Sequence, residues 1–229
     1  MAEKSTDKAT RLLEGAYAIR TVTDNINYYR DFADIYDSDF ADRMGYVYPA
    51  MLAKVFLQHQ QSIDGPIDGP VADIGCGTGL VAEALYEICS KPNQPGAPEI
   101  DGIDISNEML ESAGKKNLYR ALYQADLTQN FSHLPGNFAA IVSAGTFTFG
   151  HLGPDILPEL LTLGRSDTLY CIGVNSTHFD KQGFSEVLKA MVDKQLISQP
   201  VTEIGKIYKQ NTDNSHADDT ATILAYRQL

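Results

Sequence analysis

The sequence has no tryptophan and only three cysteines, Cys76, Cys89 and Cys171, among its 229 residues. Three widely spaced cysteines fit neither a disulfide framework nor a zinc-binding pattern, so we expect reduced thiols and no metal site. The chain also lacks an apolar run of the roughly 18 residues that a membrane-spanning helix needs. Its first residues lack the apolar core of a signal peptide. These absences predict a cytoplasmic protein that has no membrane partner.

Positive charge is scarce as well. Lysine and arginine total 18 against 30 aspartate and glutamate residues, which gives a net charge of −12. Such a field repels nucleic-acid phosphates and anionic lipids, so we expect a small-molecule partner and no nucleic acid. The apolar fraction of 43% is ordinary for a globular protein, and the length suits one large domain.

The most informative stretch begins at Val71–Ile74, a short apolar segment interrupted only by Asp73. Gly75, Gly77 and Gly79 follow at alternate positions, and an amphipathic pattern comes after them. This order predicts a buried strand, a tight turn with few side chains, and a helix leaving the turn. Open α/β sheets bind nucleotide-like ligands at such a unit.

From this point the pattern alternates strand and helix, which predicts a parallel sheet with helices on both faces. The predicted strands are Val71–Ile74, Ile100–Ile105, Leu118–Ala125, Phe138–Ser143, Thr168–Val174, Pro200–Lys209 and Thr220–Arg227. No helix separates the last two, so one of them must run antiparallel. We therefore predict an α/β fold: a Rossmann-like, doubly wound, seven-stranded, mostly parallel sheet with one antiparallel strand. Residues 1–62 are expected to form a helical cap on the ligand-binding domain 63–229.

Three acidic residues narrow the choice of ligand. Asp73, Asp104 and Asp126 fall at the ends of the first three predicted strands, so all three lie at the ligand-binding edge of the sheet. Asp104 suits ribose hydroxyls, Asp126 suits an adenine amino group, and Asp73 would repel a pyrophosphate but could hold an ammonium group. A ligand with an amine, a ribose and an adenine, but no phosphate, is S-adenosylmethionine (SAM).

Four motifs in order resemble those of class I SAM-dependent methyltransferases: Asp73–Gly79, Asp104–Ala113, Gln124–Leu127 and Phe138–Ser143. The second follows the family pattern D-x-S-x-x-M-L-x-x-A. The tyrosines and aspartate around residues 29–37, Gly45-Tyr46 and Asn117-Leu118-Tyr119 are similar to the Williams–Beuren-region methyltransferase group. The family acid at position 139 is Ala139 here, and the usual Lys-Pro-Gly-Gly turn is replaced by Gly164–Asp167.

The resemblance implies roles at the adenosine end of SAM. Asp104 would bind the ribose hydroxyls, while Ile105 and Met109 would enclose the adenine ring. Asp126 would accept from the adenine amino group, and the Leu127 amide would lie near the ring.

It also implies roles at the methionine end. The residues that would line it belong to the glycine turn and the end of the fourth strand: Gly75, Cys76, Gly77, Ser143 and Ala144. Tyr29 and Tyr36 would close over it from the cap.

Methyl transfer to an acceptor that carries a proton needs a base, and neutral histidine is a common one. His151 ends the predicted loop Gly145–His151 after the fourth strand, where acceptors commonly lie in this fold. An ordinary loop histidine is the alternative interpretation of His151. Asn175 and His178, which follow the fifth strand, are expected to be loop residues.

The sequence thus predicts a SAM-dependent methyltransferase that acts on a small molecule and releases S-adenosylhomocysteine (SAH). Two alternatives remain at this point: a regulatory protein that binds SAM without methyl transfer, and a Rossmann oxidoreductase. The glycine spacing G-x-G-x-G and Asp126 count against the oxidoreductase.

Overall fold

The computed structural model describes residues 14–16, 18–19, 21, 23–24, 27–28, 45–61, 67–129, 132–209 and 216–229. Residues 14–16 and 18 are helical. Tyr29 and Tyr36 lie outside the described residues. The division into a cap and a ligand-binding domain therefore stays a prediction.

Seven strands form a single sheet. They are β1 (Val71–Ile74), β2 (Ile100–Asp104), β3 (Ala121–Gln124), β4 (Phe138–Phe147), β5 (Gly164–Asn175), β6 (Val201–Lys206) and β7 (Thr220–Arg227). Their order is β3-β2-β1-β4-β5-β7-β6, and β7 is antiparallel to both of its neighbours. The other strands are parallel where they pair. The predicted architecture is confirmed.

The helices cover both faces of this sheet. They are α1 (Tyr48–Gln61), α2 (Leu80–Cys89), α3 (Asn107–Lys115), α4 (Leu157–Leu160), α5 (Ser176–Lys181) and α6 (Phe184–Asp193), and a 3₁₀ turn at Pro154–Ile156 precedes α4. Ser106 caps α3, because its hydroxyl accepts from the Met109 amide. Among the described residues, no helix combines the length and apolar character that crossing a membrane requires.

Side chains alternate between the two faces of the strands and build two apolar clusters. Leu169 and Cys171 of β5 face α1 and α2, whereas Tyr170 and Ile172 face the side of α4 and α6. Helix α1 packs through Leu52 and Phe56, both of which are fully buried. Its first turn, which contains Pro49, lies at the edge of the sheet where the parallel strands end.

Several predicted bounds are wrong. The periodicity of Lys181–Lys194 predicts one helix, which is observed as α6; it begins only at Phe184, after Gly183, whose φ is 78°. The short helix α5 that precedes it was not predicted. Asn175 and His178 are not loop residues: Asn175 ends β5 and caps α5, and His178 lies buried within α5. The predicted turn Gly164–Asp167 is the beginning of β5, where the pairing with β4 shifts register.

Candidate active site

The three glycines of the turn after β1 have a left-handed backbone conformation. The φ angles of Gly75, Gly77 and Gly79 are 65°, 52° and 94°, a region that side chains other than glycine rarely adopt. A Cβ at Gly75 would clash with the Thr146 side chain. A Cβ at Gly77 would meet no atom within 4 Å, because Gly77 faces a cavity. The turn thus exposes its backbone to that cavity.

Asp104, the last residue of β2, fixes the turn from the side. Its Oδ2 accepts from the Gly77 amide at 2.8 Å, and its Oδ1 accepts from the Ser106 amide at 2.9 Å. Burial raises the pKa of the carboxyl group, and the backbone hydrogen bonds oppose that rise. Each carboxylate oxygen has a second lone pair, so Asp104 can accept two more hydrogen bonds from a ligand in the cavity.

Apolar side chains continue the cavity beyond Asp104. Ile105, Met109 and Leu127 all line it, and the Met109 side chain is buried. Asp126 lies beside them and accepts from the Thr128 amide and hydroxyl at 2.9 and 2.6 Å, both at Oδ1. This is an apolar slot with one carboxylate at its rim, which fits a flat base that carries an amino group.

Asp73 and Ser143 do not line the cavity. Both are fully buried. Asp73 accepts at 2.7 Å from the Tyr119 hydroxyl, and the Ser143 hydroxyl donates at 2.7 Å to the Ile74 carbonyl. Burial raises the pKa of Asp73 to about 7; the Tyr119 hydrogen bond opposes this and the charge of Asp104 adds to it. These two residues support the turn from below.

The cavity is also lined by two segments that lie far apart in the sequence, one before β1 and one after β6. Tyr46, Tyr48 and Pro49 line it, together with Ile207 and Tyr208. Tyr46 and Tyr208 form an antiparallel bridge. The Val47 amide donates to the Ile207 carbonyl at 2.9 Å, and the Lys209 amide donates to the Gly45 carbonyl at 2.8 Å. The two segments are therefore held together by backbone hydrogen bonds.

His151 lines the same cavity. Its Nδ1 lies 3.1 Å from the Phe149 carbonyl, which can only accept, so Nδ1 carries the hydrogen and Nε2 is the basic nitrogen. Burial, with a smaller effect of the nearby His178, lowers the pKa of the ring below its usual 6.5. His151 is therefore neutral near pH 7, and Nε2 can accept a proton.

Comparisons with known proteins agree with this geometry. The fold is similar to the plantazolicin methyltransferase BpumL in complex with SAH, with a TM-score of 0.57, 15% identity and coverage of 99% of this chain and 97% of that one. It is also similar to a SAM-dependent methyltransferase structure from Methanococcus maripaludis, with a TM-score of 0.52, 20% identity and coverage of 86% and 91%.

Two sequence comparisons bear on the activity of the protein. Residues 71–166 match the methyltransferase domain family. Methyltransferase-like protein 27 from Homo sapiens is 28% identical over 184 residues, which cover 80% of this chain and 70% of the human protein. The domain match, the human relative and the similar folds together support a class I SAM-dependent methyltransferase.

A second histidine holds the loop of this methyltransferase in place. Nε2 of His178 lies 3.0 Å from the Leu152 carbonyl, so it carries the hydrogen and donates it. The His178 ring also contacts Phe149 edge-on, with 4.9 Å between the ring centroids. Burial lowers the pKa of His178. Helix α5 thereby anchors the loop that presents His151.

The structure brings ten of the predicted site residues to the cavity: Gly75, Cys76, Gly77, Asp104, Ile105, Met109, Asp126, Leu127, Ala144 and His151. Sequence reasoning missed Ile207 and Tyr208. A signal for them existed, because they follow β6, and β6 runs in the same direction as the parallel strands. Its end must therefore lie at the ligand-binding edge of the methyltransferase.

Proposed function

We propose that this methyltransferase transfers the methyl group of SAM to a small-molecule acceptor, with Nε2 of His151 taking the proton that the acceptor loses. One observation carries the proposal: a single cavity is lined by the glycine turn, by Asp104 and by His151. Donor and acceptor can therefore meet in one enclosed place, as an in-line displacement requires.

SAM supplies an electrophilic methyl group: the acceptor atom bonds to the methyl carbon, the sulfur keeps the electron pair of the broken bond, and SAH leaves. The protein's own task is to position the two molecules, exclude water and accept the proton. His151 suits that task, because its pKa is lowered and its tautomer is set by the Phe149 carbonyl.

The residues near the glycine turn and Asp104 support SAM as the ligand in that part of the cavity. We propose that Asp104 accepts from the ribose hydroxyls, and that Ile105 and Met109 enclose the adenine. Asp126 and the Leu127 amide would contact the adenine edge. The open space above Gly77 leaves room for the ligand, which is the fit that a glycine turn provides.

At the methionine end we propose contacts with Gly75, Cys76 and Ala144, which line the cavity. Asp73 and Ser143 would act from beneath the turn. Tyr29 and Tyr36, which lie outside the described residues, would close over the donor.

A small acceptor is supported by charge. Among the described residues, no lysine or arginine lines the cavity, so nothing there neutralises a phosphate backbone. The net charge of −12 also repels a phosphate backbone.

We also propose a cytoplasmic location, since Cys76, Cys89 and Cys171 are free thiols. Fractionation of cells that express a tagged chain would test the location.

The function is tested by incubating the protein with methyl-labelled SAM and a fractionated extract of small metabolites. We expect label in a compound of low molecular mass. Label only in protein or nucleic acid fractions, or none in any fraction, would reject the small-molecule acceptor.

The role of His151 is tested with His151→Gln. We expect turnover to fall by at least about 100-fold, the usual contribution of a general base, while the affinity for SAH measured by calorimetry is unchanged. His133→Gln is the control, because His133 is exposed and does not line the cavity. Full turnover by the His151 variant would remove His151 as the base.

A further inference from the structure

Two polar side chains, Asn175 and Thr148, line the cavity near His151. Each has a hydrogen-bond donor that no group in the described residues accepts. We infer that these two side chains select the acceptor, because the Asn175 amide and the Thr148 hydroxyl donate to one of its oxygens. The acceptor is then a compound with a carbonyl or carboxylate oxygen close to the atom that is methylated. This inference rests on the proposed methyl transfer and specifies the class of molecule that receives the methyl group.

The side chain of Asn175 is held in one orientation. Asn175 is the last residue of β5, and it is buried at the wall of the cavity. Its Oδ1 accepts from the His178 amide at 3.1 Å and so caps helix α5. Only the oxygen of a side-chain amide can accept that hydrogen, so the contact also settles which atom is Nδ2. Nδ2 is therefore the atom of this amide that the helix leaves unused.

Nδ2 of Asn175 is accessible from the cavity. It has no acceptor among the described residues. The polar side-chain atoms there that are fully buried without a partner do not include it, so Nδ2 keeps some exposure at the cavity that Asn175 lines. A donor in such a place binds water in the absence of a ligand, and an oxygen of the ligand can replace that water. Asn175 can thus donate to a bound acceptor.

Thr148 adds a hydroxyl beside this amide. The last residues to pair between β4 and β5 are Phe147 and Val174. Thr148 and Asn175 come directly after them, so the two residues lie at neighbouring positions, and both line the cavity. The Thr148 hydroxyl has no partner within the described part of the chain. Two donors from adjacent strands therefore meet at this place.

The same place is close to His151. The His151 amide donates to the Thr148 carbonyl at 3.1 Å, which closes a β-turn. The Cα atoms at the two ends of such a turn are less than about 7 Å apart. An oxygen held by Asn175 and Thr148 therefore belongs to a group near the atom that gives its proton to His151.

Two uncharged donors select an acceptor by its hydrogen-bonding groups. A carbonyl or carboxylate oxygen has lone pairs for both donors. An ammonium group has no lone pair, so at this position it would leave Nδ2 of Asn175 without a partner, which is unfavourable at a buried site. Asn175 and Thr148 therefore favour an acceptor with an oxygen here and discriminate against one with a cationic nitrogen.

Asn175→Ser and Asn175→Asp test the role of Nδ2. Both variants keep an oxygen that can cap α5, so we expect their thermal unfolding and SAH affinity to match the wild type. With labelled SAM and diluted metabolite extract, Asn175→Ser should form about fivefold to tenfold less labelled small molecule, the value of one hydrogen bond. Asn175→Asp should lose more, because its carboxylate repels the acceptor oxygen. Asn93→Asp is the control for added charge, since Asn93 is exposed and does not line the cavity.

Small probes test the same contact without turnover. The full chain is isotopically labelled for NMR and saturated with SAH, and the side-chain amide signal of Asn175 is identified by its absence in the two variants. N,N-dimethylacetamide and acetate only accept hydrogen bonds, whereas isopropylammonium only donates them. We expect an accepting probe to shift the Asn175 signal, and the probe that shifts it further shows whether the oxygen is neutral or anionic. The side-chain signal of Asn93 should not move.

The outcomes separate this inference from the proposed function. Equal labelling by the wild type and either variant, or loss of SAH affinity in a folded variant, overturns the inference and leaves methyl transfer standing. A shift caused only by isopropylammonium, or by none of the probes, also overturns it. The absence of any labelled small molecule with the wild type rejects the proposed function, and the NMR probes then decide separately whether Asn175 binds an oxygen.

Discussion

The Tyr119 hydroxyl donates to Oδ2 of Asp73 across 2.7 Å, although 46 positions separate the two residues in the sequence. The Tyr119 ring also fills the space beside two glycines. A Cβ at Gly79 would lie 3.0 Å from its Cε2, and a Cβ at Gly102 would lie 3.0 Å from its Cε1. Tyr119 therefore supports the SAM-binding turn from beneath by both a hydrogen bond and packing.

Removal of that hydroxyl should destabilise the fold in a pH-dependent manner. Tyr119→Phe leaves the buried Asp73 carboxylate without its donor, so we expect a loss of about 1–3 kcal/mol in the free energy of unfolding near pH 8. The loss should be smaller near pH 5, where Asp73 is protonated. Urea unfolding measures both values. Tyr86→Phe is the control, since Tyr86 is 54% exposed; losses of equal size at the two pH values would argue against the pair.

Replacement by asparagine should change the free energy of unfolding in opposite directions at two buried aspartates, Asp73 and Asp101. Burial raises the pKa of Asp73 from 3.8 to about 7, so the stability that its protonated form gives is complete below about pH 4 and is lost as the pH rises through about 7. Asp73→Asn cannot lose a proton, and we expect it to be more stable than the wild type near pH 8. The difference should vanish near pH 4.

Asp101 provides the contrast. It is fully buried, but Arg120 donates to it from Nε at 2.9 Å and from Nη2 at 2.7 Å. Asp101→Asn should therefore lower the free energy of unfolding near pH 8 by about 1–3 kcal/mol, because it weakens hydrogen bonds between charged groups while the Arg120 side chain, 43% exposed, stays hydrated. If both variants change stability in the same direction, the pairing of the carboxylates is not what distinguishes them.

Substitutions at Gly75 and Gly77 should have different effects on the stability of the fold and on the binding of SAM. Gly77→Ala adds a methyl group to the open cavity, so we expect a stability loss of only about 1–2 kcal/mol from the left-handed backbone, and markedly weaker SAH binding. Gly75→Ala clashes with Thr146 and should destabilise the fold by a further about 1–3 kcal/mol. Thermal unfolding with and without SAH measures both effects. Tight SAH binding by Gly77→Ala would show that the ligand does not approach this residue.

His178 should control the loop that carries His151. His178→Phe keeps the ring contacts with Phe149 but loses the donor to the Leu152 carbonyl. We expect SAH affinity to be unchanged and the KM of the acceptor to rise by about fivefold.

The same substitution should change acid sensitivity. The pKa of His178 is lowered from 6.5, so the unfolded chain binds a proton first and stability falls as the pH drops below about 6.5. His178→Phe removes this contribution, and chemical unfolding between about pH 5 and pH 8 should show a flatter profile. His133→Phe, at an exposed position, should keep the wild-type profile.

Where a strand is bounded by local signals, the sequence predicted it closely. Val71–Ile74 and Thr220–Arg227 have the predicted bounds, since each is an apolar run that ends at a turn. Strand β4 continues past Ser143 to Phe147, because pairing with β5 resumes after an irregularity. Pairing of that kind depends on a partner strand and leaves no periodic signal in one segment.

The residues proposed to bind the donor could be predicted from local patterns, whereas those on the acceptor side depend on contacts between distant segments. The residues proposed to bind SAM follow successive parallel strands, so their meeting at one edge was predictable. On the acceptor side, Tyr46 and Tyr208 meet through a bridge between distant segments, which only the sheet order establishes. Their meeting was therefore beyond prediction from local patterns, although the direction of β6 places Tyr208 at the ligand-binding edge.

The place of β7 has a consequence for how the enzyme is made. Strand β6, which leads to Tyr208, reaches the sheet only through β7, and among the described strands β7 comes last in the sequence. During synthesis, every strand that carries a SAM-binding motif leaves the ribosome before β7 does. A nascent chain can thus assemble the strands around the glycine turn early, but the Tyr46–Tyr208 bridge cannot join the sheet until β7 has emerged.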